Sequence, residues 1–178
     1  MSSSLEDLVL RECYEEDIPA ITAIYGHAVR HGFGSFELEP PGEAEMKIRR
    51  RLLLAARYPY VVAEDAGKVV GYAYAGAYHS RPGYVKTVEN SVYVRDGFHG
   101  RGIGGKLLAE LIEQATALGF RQMVAVIGDS GNKSSIRLHE KLGFSLVGTL
   151  RSVGWKQEHW LDTVLMQRTL GEGDATPV

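Results

Sequence analysis

The segment His99-Gly-Arg-Gly-Ile-Gly-Gly-Lys106 decides how the rest of the chain is read. It follows a strand-like run, Thr87-Val-Glu-Asn-Ser-Val-Tyr-Val94, and opens a stretch with apolar residues at 103, 107, 108, 111, 112 and 115, the spacing of a helix face. A glycine turn between strand and helix presents backbone N–H groups at the positive end of the helix dipole, and glycine lets an anion approach with no Cβ in the way. The spacing therefore predicts an anion-binding loop. Five of the 21 glycines in the 178 residues fall between positions 97 and 105.

Three anions compete for it. Read as Gly100-x4-Gly105-Lys106 the loop approaches a nucleotide P-loop, but Leu107 stands where a magnesium-binding Ser or Thr belongs. Read as Gly100-x-Gly102-x-x-Gly105 it satisfies a dinucleotide fingerprint, with Asp129 24 residues further on, and would make the protein an NAD-binding oxidoreductase. Against that, only 49 residues (178 minus 129) follow Asp129, and the strand meander before the loop has no place in such a domain. The third candidate is the pyrophosphate of an acyl-coenzyme A.

Working outward, Asp7 to Glu12 reads as a strand, and Glu15-Glu16-Asp17-Ile18-Pro19 starts a helix with Ile18, Ile21, Ile24, Tyr25 and Ala28 on one face. A loop with Gly32, Gly34 and Pro40-Pro41-Gly42 leads to a helix over Glu43 to Arg57, whose Lys47, Arg49, Arg50 and Arg51 read as a solvated face. Tyr60 to Glu64 and Val69 to Tyr78 form a hairpin around Asp65-Ala66-Gly67-Lys68. Beyond the glycine loop come a helix from Ile103 to Leu118, a strand over Gln122 to Ile127, a helix over Ser134 to Leu142, and strands over Phe144 to Leu150 and Leu161 to Met166. This order predicts one α/β domain over residues 7–170, with flexible ends at 1–6 and 171–178.

Composition limits the partners. A net charge of −2 argues against nucleic acid, and no run approaches the roughly 18 apolar residues of a membrane span. Cys13, the single cysteine, allows no internal disulfide or cysteine zinc cluster, so a soluble cytoplasmic protein is expected. His27 and His31 lack the glutamate of a zinc-protease motif, and no metal is expected. Trp155 and Trp160 are expected in the core or at a dimer contact.

Val92-Tyr-Val94 with the following loop resembles the signature of the GNAT superfamily of N-acetyltransferases, in which Gln or Arg, two residues, Gly, one residue and Gly succeed one another. His99, Gly102 and Gly104 match these positions, with His99 replacing the Gln or Arg. Asn132-Lys-Ser-Ser-Ile-Arg-Leu-His-Glu-Lys-Leu-Gly-Phe144 resembles the second coenzyme-binding segment of that superfamily. Thr87 to Val94, Leu138-His139 where most members have Leu-Tyr, and Trp160-Leu-Asp-Thr163 are similar to the phosphinothricin and methionine sulfone N-acetyltransferase family. The similarity runs from about Leu8 to Leu170.

This resemblance implies a GNAT (acyl-CoA N-acyltransferase) fold with a mixed, splayed sheet flanked by helices, acetyl-CoA as co-substrate, a homodimer, and direct acetyl transfer to a small amino-acid-like amine. It implies that Val92, Tyr93 and Val94 pair with the pantetheine amides, that His99, Gly100, Arg101, Gly102, Ile103, Gly104 and Gly105 hold the pyrophosphate, and that Asn132 and Ser135 contact the coenzyme arm. Glu89 is the candidate base. Alternation places it with Ser91 and Tyr93, opposite Val88, Val92 and Val94, and a partly desolvated carboxylate has the raised pKa that proton acceptance needs. His139 is the candidate acid for the departing thiolate. Tyr78-His-Ser-Arg-Pro-Gly-Tyr84 resembles the family's substrate loop, which implies that Arg81 binds an acceptor carboxylate beside Tyr84. Val85 and His79 stand where relatives carry basic residues. Phe36, with Phe33, is expected either to close over the acceptor or to anchor in the core. A coenzyme A-binding regulator without chemistry is the remaining alternative.

Overall fold

The structure, a computed structural model, describes residues 8–178. Asp7, the expected start of the first strand, and the segment 1–6, expected to be flexible, lie outside the described residues. The elements are β1 (Val9–Glu12), α1 (Ile18–His31), α2 (Glu43–Ala55), β2 (Tyr60–Asp65), β3 (Lys68–Ala77), β4 (Thr87–Val94), α3 (Ile103–Ala117), β5 (Gln122–Gly128), α4 (Lys133–Lys141), β6 (Ser145–Lys156) and β7 (His159–Thr169).

All seven strands join one sheet in the order β1-β2-β3-β4-β5-β7-β6, and every pairing is antiparallel apart from β4 with β5. The sheet is mixed and flanked by helices, as expected. A single parallel pair is not the doubly wound parallel sheet that a dinucleotide domain needs, so the NAD reading loses its fold.

Helices on both faces explain why β2 is buried throughout its first four residues. On one face Val61, Ala63 and Val88 pack with Leu107, Leu108 and Leu111 of α3. On the other Tyr60, Val62 and Tyr72 pack with Ile21, Ile24 and Val29 of α1 and Met46 of α2. The expected solvated face of α2 is partly internal: Arg50 donates to Cys13 O at 2.5 Å and so fastens the helix to the end of β1.

The last hairpin is longer than the sequence predicts. Its ladder continues through two register shifts to Lys156 opposite His159. The turn residues Gln157 and Glu158 both have positive φ, the conformation usually signalled by Asn-Gly, so this turn carries no sequence cue. Trp155 and Trp160 pair across it and are 54% and 65% exposed, which removes them from the core. Near the C-terminus, Arg121 donates to Gly173 O and to Thr176 Oγ1, so the polar tail from Gly171 is tied to the start of β5.

The feature that positions the site is the end of the parallel pairing. Thr87 to Asn90 lie opposite Gln122 to Ala125, and beyond that point β4 and β5 diverge. Ser91 to Val94 therefore have β3 on one side and no β5 partner on the other.

Candidate active site

The divergence opens a cleft of about 790 Å³. Its walls are the free edge of β4, the loop into α3, the end of β5 and one face of α4, and Ala28, Gly32 and Gly34 also line it. An unpaired strand edge offers N–H and C=O groups to an extended ligand in the manner of an added strand. Val92, Tyr93 and Val94 line the cleft at that edge.

Gly100 and Gly102 have φ of 76° and 80°, in the left-handed region that glycine adopts at little cost, and Gly102 caps α3. The first helical bond runs from Lys106 N to Gly102 O at 3.1 Å. The N–H groups of Ile103, Gly104 and Gly105 precede it and so have no intrahelical acceptor. Those three residues, with His99, Gly100 and Gly102, line the cleft, so the sequence-predicted loop is assembled there. Arg101 is not among the lining residues: its guanidinium lies 4.8 Å from the Phe98 ring centroid and donates to Gly97 O.

Glu89 also lines the cleft, half-buried. Burial alone pushes its carboxyl pKa up, and among the described residues no cation pairs with it. The alternation in β4 is as predicted, but neither face meets open solvent. Tyr93 is packed against Tyr72, with ring centroids 5.3 Å apart, and edge-on against Tyr25 at 5.0 Å.

His139 is 4% exposed and faces Phe144 edge-on at 4.9 Å. Its Nδ1 lies 2.8 Å from Ser135 O and its Nε2 lies 3.0 Å from Asn90 Oδ1. Both partners are acceptors, so both contacts are hydrogen bonds only when the ring carries two protons. Burial works the other way and lowers the pKa, while the Ser135 carbonyl raises it. Asn90, which the sequence did not single out, donates from Nδ2 to Val124 O at 3.2 Å and thereby ties β4 to β5 at the point of divergence.

Asn132 and Ser135 line the cleft, but the Asn132 amide is engaged within the chain. Its Oδ1 caps α4 by accepting from Ser135 N at 3.2 Å, and its Nδ2 donates to Gly128 O at 3.2 Å. The amide thus caps α4 and ties it to the end of β5 from a place on the cleft wall. Arg137 and Lys141 line the cleft and were missed. The signal for them was present: Ser134, Arg137, Leu138 and Lys141 follow the i, i+3, i+4, i+7 stripe of one helix face.

The expected acceptor residues are not brought together. Arg81 and Tyr84 sit on the short turn between β3 and β4, where Tyr84 packs edge-on to Tyr78 at 5.7 Å and to His79 at 5.0 Å, and neither lines the cleft. Phe36 is 37% exposed and belongs to neither core cluster. Its ring lies over Gly128 and Gly154, where a Cβ on either glycine would come within 2.5 Å of it.

A splayed mixed sheet with a glycine-capped helix at the divergence, and a half-buried carboxyl in the same cleft, defines an acyltransferase-type architecture. Residues 21–144 match the model of the acetyltransferase (GNAT) family, and the chain belongs to that family as an N-acetyltransferase. Among its relatives, the chain is 48% identical to the phosphinothricin N-acetyltransferase of Alcaligenes faecalis, over 94% of this chain and 85% of that protein. It is 41% identical to the L-methionine sulfoximine/L-methionine sulfone acetyltransferase of Pseudomonas paraeruginosa, over 94% of this chain and 98% of the relative. A crystal structure of a GNAT superfamily phosphinothricin acetyltransferase from Sinorhizobium meliloti in complex with AcCoA superposes with a TM-score of 0.93 at 48% identity, covering 96% of this chain and 92% of that one.

Proposed function

We propose that the protein transfers the acetyl group of acetyl-CoA to the amino group of a small amino-acid-like acceptor of the phosphinothricin, methionine sulfone or methionine sulfoximine type. The observation that carries this reading is the shared cleft, with a carboxyl whose pKa is raised at one end and a glycine loop with unbonded N–H groups at the other. The names of the relatives support the acceptor class.

In this reading the N–H groups of Ile103 to Gly105 hold the pyrophosphate, Arg137 and Lys141 add positive charge, and the free edge of β4 aligns the pantetheine arm. Glu89 accepts a proton from the acceptor ammonium, directly or through water. The freed amine attacks the thioester carbon, the C–N bond forms and the C–S bond breaks. The nitrogen then loses a second proton and the thiolate gains one, and His139 is the group assigned to that relay. One proton is released overall. Glu89 speaks against the alternative of a coenzyme-binding regulator, because a half-buried carboxyl with no cation partner is costly unless it has a task.

We also propose a homodimer. Leu146, Val147, Leu150, Val153 and Trp155 on β6 and Trp160 on β7 are all exposed, an apolar band on an edge strand that an isolated chain would leave in water. The free and buried Cys13 suits a reducing compartment, and we assign the protein to the cytoplasm.

The acceptor is tested with acetyl-CoA and a panel of methionine sulfone, methionine sulfoximine, phosphinothricin and simple polyamines, read by release of free thiol. Turnover is expected with the first three. Reaction with polyamines alone overturns the acceptor class and leaves the acetyltransferase intact.

A further inference from the structure

An irregular segment, residues 32–36, contributes Gly32 and Gly34 to the lining of the cleft that also holds Glu89. Such a segment has no ladder of its own to keep its shape. It is fastened by the tip of the β6–β7 hairpin, far away in sequence. Lys156 Nζ donates to Gly32 O at 2.9 Å and to Ser35 O at 2.6 Å. Gln157 Nε2 donates to Arg30 O at 2.8 Å, and Phe36 fills the slot over Gly128 and Gly154.

Lys156 is 3% exposed, and no carboxylate lies within ion-pair distance of its ammonium among the described residues. Glu37 is the acid whose charge reaches it, and Glu37 is itself engaged by Arg49 Nη1 at 2.6 Å and by Tyr25 Oη at 2.9 Å. Burying an ammonium without a counter-ion is expensive, and packing alone would favour an apolar side chain at such a position. What the ammonium contributes there is directional: one group that binds two carbonyls three residues apart and so sets the curvature of the segment. From Ser35 the fastening continues inward, with Ser35 Oγ 2.8 Å from Tyr25 Oη and accepting from Glu37 N at 3.2 Å.

We infer that Lys156 is a positioning residue for the acceptor end of the cleft, holding residues 32–36 so that Gly32 and Gly34 wall the space beside Glu89. This inference rests on the acetyl-transfer reading above. It differs from a general stabilising role in its prediction for kinetics. Losing the ammonium should disturb the acceptor and leave the coenzyme end, built from α3 and β4, unchanged.

The test is Lys156→Met, which keeps the stem and removes the charge. The acceptor KM is expected to rise about 10-fold or more, because small displacements of a positioning wall are expensive in rate. The acetyl-CoA KM is expected to stay within about twofold, as it should when binding at that end is untouched. Hydrogen exchange of the backbone amides of residues 32–37 is expected to accelerate in the variant, a readout independent of turnover. An unchanged acceptor KM with unchanged exchange overturns the inference, and so does an equal rise in both KM values. If Lys156→Met does not fold, Lys156→Gln, which keeps a polar end on a stem too short to bind both carbonyls, is measured in the same way. Unchanged acceptor KM and exchange in that variant overturn the inference. Wild-type protein that acetylates nothing in the panel overturns the acetyl-transfer reading instead, and the exchange measurement still decides whether Lys156 holds the segment.

Discussion

At the scale of single residues, Glu89 owes its character to burial, with no charged neighbour among the described residues to offset it. A base of this kind contributes about 10²-fold or more, so Glu89→Gln is expected to lower kcat by that factor while acetyl-CoA affinity, read by calorimetry, is retained. Unchanged turnover at saturating acceptor would remove Glu89 from the mechanism. The same burial has a stability consequence. Because the folded state keeps the Glu89 proton to a higher pH than the unfolded chain, folding takes up protons, and stability falls as pH rises from the ordinary carboxylate range through the raised value. Glu89→Gln removes that loss, so its Tm should exceed that of the wild type at neutral pH, with the difference vanishing in acid where Glu89 is protonated in both states. Glu89 and His139 were legible from their motifs. Asn90, the residue that holds His139 Nε2, was not, because its partners lie 34 and 49 positions away and only the folded sheet joins them.

Among elements, α4 shows how a pattern can be visible and still go unread. Its N-cap, Asn132, accepts the orphan Ser135 N–H of the first turn while also lining the cleft. Its cationic stripe was overlooked, although Ser134, Arg137, Leu138 and Lys141 recur at helical spacing and face the cleft. If that stripe adds charge to the pyrophosphate site, Arg137→Ala and Lys141→Ala should each weaken acetyl-CoA binding by about 10-fold at low salt, and by less as salt rises, because exposed charges are screened. A calorimetric titration at two ionic strengths measures both effects. The β6–β7 hairpin is the opposite case. Gln157-Glu158 has none of the usual turn chemistry, so the continuation of both strands past Leu150 and before Leu161 followed from cross-strand pairing and not from local preference.

On the scale of the whole molecule, the exposed apolar band on β6 and β7 and the buried Lys156 come from the same hairpin, one side turned outward and the other onto residues 32–36. Replacing Leu150 and Trp155 together by Glu should convert the proposed dimer to a monomer in sedimentation velocity, since both side chains are exposed and their loss creates no cavity. A wild-type protein that sediments as a monomer would refute the dimer directly. Local chemistry determined most of the rest. Outside the last hairpin, hydrophobic periods of two and 3.6 residues specified the strands and helices to within a few residues, and the glycines between β4 and α3 specified the turn that caps α3, because each of these depends on neighbours a few positions apart. The tertiary structure alone decided where β4 and β5 part, what fastens residues 32–36, and that Arg81 and Tyr84 sit on the turn between β3 and β4. Those outcomes depend on contacts between segments far apart in the chain, such as Lys156 with Gly32, 124 positions away, and no local pattern encodes the partner of a buried ammonium.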